Sequence, residues 1–137
     1  MIYAMFALVL LTTVVSIRLL VMRFGAVKSG KISVGYFRLF KGADVPTQME
    51  QAARNYSNLF ELPILFYAAG AIAIGLHLET ITLIIISWLF VLSRVLHSWI
   101  HLTSNNVLHR LKAFLFGAVL VFTMWLILVW EYTLNLH

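Results

Sequence analysis

At 137 residues, 62% of them hydrophobic and only 11% charged, the chain is too oily for an ordinary soluble domain, and a mean hydropathy of +0.95 sets it among integral membrane proteins. The length suits one compact bundle of about four spans at roughly 20 residues each and excludes a second, soluble domain. Ten Lys and Arg against five Asp and Glu leave a net charge of +5, but the cations border apolar segments instead of forming a basic domain, so they suit anionic lipid headgroups and not nucleic acid.

Four apolar segments follow in chain order. The first runs from Ile2 to about Met22, interrupted only by Arg18. The second runs from Leu59 to Leu78 with Glu61 inside it, and its polar side extends back to about Thr47. The third covers Ile81 to about Leu102 and contains Arg94; the fourth, Ala113 to Trp130, carries no charge. Each is long enough to cross a bilayer as a helix, which satisfies its own backbone polar groups there. The expected fold is all-α, an integral membrane four-helix bundle that fills residues 1–137 as one domain. Pro46 stands where a helix start tolerates it, because its missing N–H would be unpaired anyway. Pro63 falls inside the second segment and frees a carbonyl one turn earlier, so a kink is expected beside Glu61. Between the first two segments, Phe24 to Val45 holds Gly25, Gly30, Gly35 and Gly42 with Tyr36, Phe37, Leu39 and Phe40, and reads as a pliable interfacial connector or lid.

The first segment has no basic stretch ahead of it and no small-x-small cleavage site, so it is expected to stay attached and not to leave as a signal peptide. Every Lys and Arg lies near the first or the third connection, while the short second connection, His77 to Thr80, has none. The positive-inside rule then puts both basic connections in the cytoplasm and both termini outside.

Two rows of polar side chains interrupt the apolar pattern. Gln51, Arg54, Asn58 and Glu61 recur where the second apolar run begins, and Arg94, His97 and His101 recur where the third ends. At about 100° per residue each row occupies a narrow helix face, and Arg54 to Glu61 spans about 10 Å, the length of a small peptide. Ionised groups inside a membrane span are expensive and usually face protein or a cavity. With Arg110 near the start of the fourth helix, three guanidiniums stand against the one carboxylate of Glu61, an arrangement that attracts an anion. The structural alternative is that Glu61 and the arginines only pair with one another to lock the bundle.

The absence of cysteine excludes disulfides, thiolate metal sites and a cysteine nucleophile, so any thiol chemistry arrives with the substrate. His97 and His101 have the spacing of a metal pair, but no carboxylate lies beside them and Arg94 and Arg110 repel a cation, so no metal is expected. No Gly-rich phosphate loop or nucleophile elbow is present.

The stretch Arg54-Asn55-Tyr56-Ser57-Asn58-Leu59-Phe60-Glu61-Leu62-Pro63 resembles the second-helix signature of the MAPEG family, the membrane-associated proteins of eicosanoid and glutathione metabolism. Arg94-x-x-His97-x-x-x-His101, followed by Arg110, resembles the pattern of its microsomal prostaglandin E synthase and glutathione transferase members. The resemblance implies a bacterial-type member in the inner membrane, a homotrimer with membrane lipids around it and glutathione bound between subunits near the cytoplasmic face. It implies contacts to the tripeptide from Arg54, Asn58 and Glu61, with Arg94, His97 and Gln51 in the same cleft, Arg23 as a further candidate, and Arg110 near the thiol. Where the family's enzymes carry a tyrosine, this chain has His101, a hydrogen-bond donor whose protonation varies near neutral pH.

The function expected on this basis is a glutathione-dependent transferase or peroxidase acting on hydrophobic electrophiles or lipid hydroperoxides, with Arg110 stabilising the thiolate and His101 as auxiliary donor. Two other classes stay open: a non-catalytic lipid-binding or scaffold protein of the same family, and a small transporter that uses Glu61 as its titrating group.

Overall fold

The computed structural model describes residues 1–41 and 44–134; Gly42, one of the connector glycines, lies outside them. Its elements are helices: α1 (Ile2–Lys28), α2 (Tyr36–Leu39), α3 (Thr47–Asn58), α4 (Leu62–Gly75), α5 (Ile81–Leu102) and α6 (Val107–Leu134). Four stretches are long and apolar enough to cross a membrane, namely α1, α3 with α4, α5 and α6. The protein is all-helical, as expected.

Three boundaries differ from the sequence expectation, each for a physical reason. Helix α1 passes Met22 and ends at Lys28, because Arg23, Val27 and Lys28 are competent helix formers with no proline to stop them, and Gly25 is tolerated. Helix α6 starts at Val107, where Asn106 caps it by accepting the His109 N–H at 3.1 Å through Oδ1. The second span is broken, not kinked. Asn58 ends α3, Leu59 and Phe60 turn through bonds to the carbonyls of Tyr56 and Ser57, and Glu61, with ψ −96°, precedes the new helix. Pro63 sits in the first turn of α4, where its missing N–H costs nothing.

Away from the basic connections, α4 meets α1, α5 and α6 in an apolar core of Ala4, Leu8, Phe66, Ala69, Phe90, Val121 and Met124. Phe66 and Phe90 stack at 4.7 Å between ring centroids. In a lipid setting such packing gains from close fit more than from water exclusion, so the small Ala69, Gly70 and Ala73 bring α4 close to its neighbours. On another face of α4 the small residues Ala71 and Gly75 are exposed. A second cluster, Leu19, Ala26, Ile32, Met49 and Ala52, ties α1 to α3 at the basic end. Helix α6 turns Leu115, Val119, Phe122 and Leu126 outward as a continuous apolar stripe, the surface a lipid tail contacts.

Candidate functional site

At the basic end a cavity of about 570 Å³ opens between α1, α3, the turn after α3 and the start of α6. Arg23, Arg54, Asn58, Glu61 and Arg110 line it, together with Glu50, Phe40 and Tyr56. Arg54 and Asn58 reach it from one face of α3. Glu61 reaches it from the break, so the continuous-helix geometry that groups it with Arg54 does not apply; the chain reversal at Leu59 and Phe60 delivers it instead. Arg23 reaches it only because α1 continues beyond Met22.

The charges are arranged differently from the sequence expectation. Three guanidiniums do meet in the cavity, but the third is Arg23 and not Arg94. Arg54 donates to Glu50 Oε1 at 2.6 Å across one helical turn, and both side chains are exposed, at 67% and 51%. Such an exposed pair contributes little to stability and leaves Arg54 available to a competing anion. Glu61 is exposed, and its carboxylate has no ion-pair partner among the described residues.

Arg110 is positioned by its own loop. Asn105 adopts φ 49°, a left-handed conformation that asparagine tolerates, and its Oδ1 accepts from Arg110 Nη1 at 2.7 Å. The backbone carbonyl of Arg110 accepts from His97 Nδ1 at 3.1 Å, which fixes the tautomer with hydrogen on Nδ1. The Arg110 Nε is buried without a partner among the described residues. A guanidinium held on one edge, with unspent donors, stands at the cavity wall.

The row on α5 is not on that wall. Arg94 is 1% exposed and turns into the seam with α6, where Nη2 donates to the Ala113 carbonyl at 2.9 Å and the guanidinium carbon lies 5.5 Å from the ring centroids of both Phe90 and Phe114. No carboxylate of the described residues reaches ion-pair distance of it. Gly117 makes room for it: a Cβ there would lie 2.6 Å from Arg94 Nη2. His97 and His101 are buried too, with ring centroids 5.9 Å apart, and neither lines the cavity. Among the described residues, His97 Nε2 and both ring nitrogens of His101 are without partners, as are Ser98 Oγ and the side chain of Asn55. Gln51 is half-buried on α3, outside the cavity lining. The common face of Arg94, His97 and His101 is real, but it turns toward the neighbouring helices.

Glu50 and Phe40 are wall residues that the polar rows do not contain. The spacing of Glu50 to Arg54, four apart on one helix, is the signal for the first. Phe40 belongs to the aromatic run of the connector, but its place on the wall comes from a left-handed backbone conformation at φ 54° that the sequence does not announce.

The arrangement suits a zwitterionic or anionic ligand of peptide size: a carboxylate for an ammonium group, guanidiniums for carboxylates or a thiolate, and Asn58 for amides. Comparison with curated proteins and with solved structures gave no match. The model of the MAPEG family matches residues 1–130. That match covers the membrane-length segments up to residue 130 of the last one and all the residues of the cavity, and the chain belongs to the MAPEG family.

Proposed function

We propose that the protein is a membrane-embedded glutathione transferase or peroxidase that binds the tripeptide in the cavity at the basic end. The observation that carries this reading is the convergence of Arg23, Arg54, Arg110, Asn58 and Glu61 on one cavity of about 570 Å³, within the size range of small-molecule sites. Glu61 holds the α-amino group, Arg54 exchanges Glu50 for a ligand carboxylate, and Asn58 orients the peptide amides. Arg110 stabilises the deprotonated thiol, because a permanent cation favours the anion over the neutral form. Glutathione supplies the sulfur nucleophile, and a hydrophobic electrophile or lipid hydroperoxide comes from the bilayer. The same reading carries a homotrimer whose neighbouring subunits complete the site, and a cytoplasmic position for the basic end.

A second reading, a non-catalytic lipid-binding protein of the same family, draws on one observation: His101 is buried away from the cavity, so no side chain of α5 lines it. Calorimetry on detergent-solubilised protein separates both from a transporter. Glutathione should bind, with S-methyl glutathione as the probe of the thiol's share; no heat of binding at millimolar ligand would overturn the glutathione reading. Turnover with an activated aryl chloride or an organic hydroperoxide then decides between the enzyme and the lipid-binding protein.

A further inference from the structure

Two arginines of the polar cavity are held in place, and the chemistry that holds them differs. Arg54 donates to the carboxylate of Glu50 at 2.6 Å, an ion pair in which its charge is already matched. Arg110 donates through Nη1 to the amide oxygen of Asn105 at 2.7 Å, and no carboxylate of the described residues comes within ion-pair distance of it. Glu50 and Glu61 line the same cavity, so acidic side chains are at hand there. For Arg110 the fold uses an amide where a carboxylate would hold more tightly.

The anchor follows from the way α5 ends. Thr103 leaves helical geometry at φ −113° and ψ −95°. The N–H of Asn105 then reaches back to the Ile100 carbonyl at 2.8 Å, and Asn105 makes that closing bond in the left-handed conformation, at φ 49°. Glycine and asparagine adopt this conformation most readily, but only asparagine brings an acceptor with it. Asn106 caps α6 by accepting the His109 N–H at 3.1 Å, so the two neighbouring asparagines divide the work: the first holds the guanidinium and the second starts the helix. Asn105 and Arg110 are both half-buried, which partly shields their bond from water. At its other end Arg110 is tied through its carbonyl to His97 Nδ1 at 3.1 Å. Backbone and guanidinium of Arg110 are thus fixed by separate groups before any ligand arrives.

We propose that Asn105 is a positioning residue for the thiolate: its neutral amide fixes the Arg110 guanidinium at the cavity wall without cancelling its charge. The inference rests on the glutathione reading and names what fits Arg110 for its part in it. A cation stabilises a developing anion best when its position is set in advance and its charge is not already compensated. A mobile arginine lacks the first property, and an arginine paired to a carboxylate lacks the second. Asparagine at position 105 supplies both, and it spends one hydrogen-bond donor of the guanidinium while Nε stays unpartnered among the described residues. Arg54 needs no such arrangement, because a ligand carboxylate replaces Glu50 like for like. A thiol must first lose its proton, and an acidic neighbour beside Arg110 would oppose that loss.

The test uses the whole protein in detergent with the variants Asn105→Gly, Asn105→Asp and Asn106→Gly. Glycine keeps the left-handed turn and removes the anchor; aspartate keeps both and adds the opposing charge. Without glutathione, phenylglyoxal modification of Arg110, mapped by mass spectrometry against Arg23 as internal reference, reads the hold itself. Asn105→Gly should react about threefold to tenfold faster, the worth of one hydrogen bond, and Asn105→Asp more slowly than wild type. With glutathione, ultraviolet thiolate absorbance followed against pH reads the consequence. The thiolate fraction at neutral pH should fall about threefold in Asn105→Gly and about tenfold or more in Asn105→Asp, while S-methyl glutathione, which has no thiol proton, binds within about twofold of wild type. Asn106→Gly disturbs the same loop by removing a helix cap and should leave both readouts unchanged. If Asn105 served only to end α5, aspartate, which tolerates the turn, would behave as wild type. Unchanged Arg110 reactivity in Asn105→Gly, or a thiolate curve in Asn105→Asp that coincides with wild type, would overturn the proposal. Faster Arg110 modification in a protein that gives no heat of glutathione binding would overturn the glutathione reading instead, and the thiolate role with it, while the hold on Arg110 stood.

Discussion

Around α4 the buried side chains are Ala4, Leu8, Phe66, Ala73, Leu83, Phe90 and Leu128, and polar atoms there are few. Around α3 and the last turns of α5, burial takes in Asn55, His97, Ser98 and His101, most of whose polar atoms have no partner among the described residues. Buried polar groups are normally satisfied because an unpaired one costs more than a hydrogen bond gains. One end of the molecule is therefore built for packing, and the other bears a polarity that packing alone does not explain. The difference sets a packed half against a half whose buried polar groups lack partners among the described residues, and the cavity proposed for glutathione opens at that second half.

The sharpest way to break the comparison is at Arg110. Arg110→Ala should lower glutathione turnover by at least about tenfold to a hundredfold, each tenfold being about 1.4 kcal/mol of barrier. Lys112→Ala, at an exposed position outside the cavity lining, should not. Thiolate ultraviolet absorbance of bound glutathione followed against pH checks the cause: the curve should move to higher pH in the Arg110 variant alone, and coincident curves would reduce Arg110 to a membrane anchor.

In the packed seam the expected loss is of stability. Gly117→Ala drives a methyl group to 2.6 Å from Arg94 Nη2 and 2.8 Å from Ser93 Oγ, an overpacking that costs about 1–3 kcal/mol. Gly25→Ala meets nothing within 4 Å and should stabilise α1 by roughly 0.5–1 kcal/mol through helix propensity. Thermal denaturation of the two variants in detergent should thus shift in opposite directions.

Smaller effects come from the exposed charges. Glu61→Gln keeps the shape and removes the charge offered to an ammonium group, so glutathione affinity in the calorimeter should fall by about fivefold to tenfold. Glu50→Gln works the other way. With both partners exposed, the lost pair should change stability by no more than about 0.5 kcal/mol, while Arg54, released from its internal competitor, should bind glutathione about twofold to threefold more tightly. Unchanged affinity there would mean that Arg54 does not touch the ligand.

Much of this division is legible in the amino-acid sequence, and the rest has identifiable reasons for being hidden. Hydropathy finds the four spans because a bilayer demands apolar length. Arg54, Asn58, Glu61 and Arg110 stand out because polar groups are conspicuous against an oily background. Helical periodicity says that Arg94, His97 and His101 share a face, but it is silent on what the face meets, and here it meets α6 and its neighbours instead of the cavity. Pro63 announces a disturbance beside Glu61; whether the helix bends or ends depends on the turn made by Leu59 and Phe60, which carry no turn signature of their own. Glu50 is visible by its spacing and is overlooked when attention stays on the cations. Phe40 is visible as part of the connector's aromatic run, but its place on the cavity wall is not, since a left-handed aromatic residue follows from its tertiary neighbours.

The interruption between Asn58 and Leu62 has a consequence for how the chain can vary. In a continuous helix one inserted residue rotates everything beyond it by about 100°, so a polar site and an apolar core on the same rod are locked to a common phase. Here the phase is reset at Glu61. The residues that line the cavity from α3 and those that fit the bundle from α4 belong to two rods with separate registers, and each can be rewritten without turning the other.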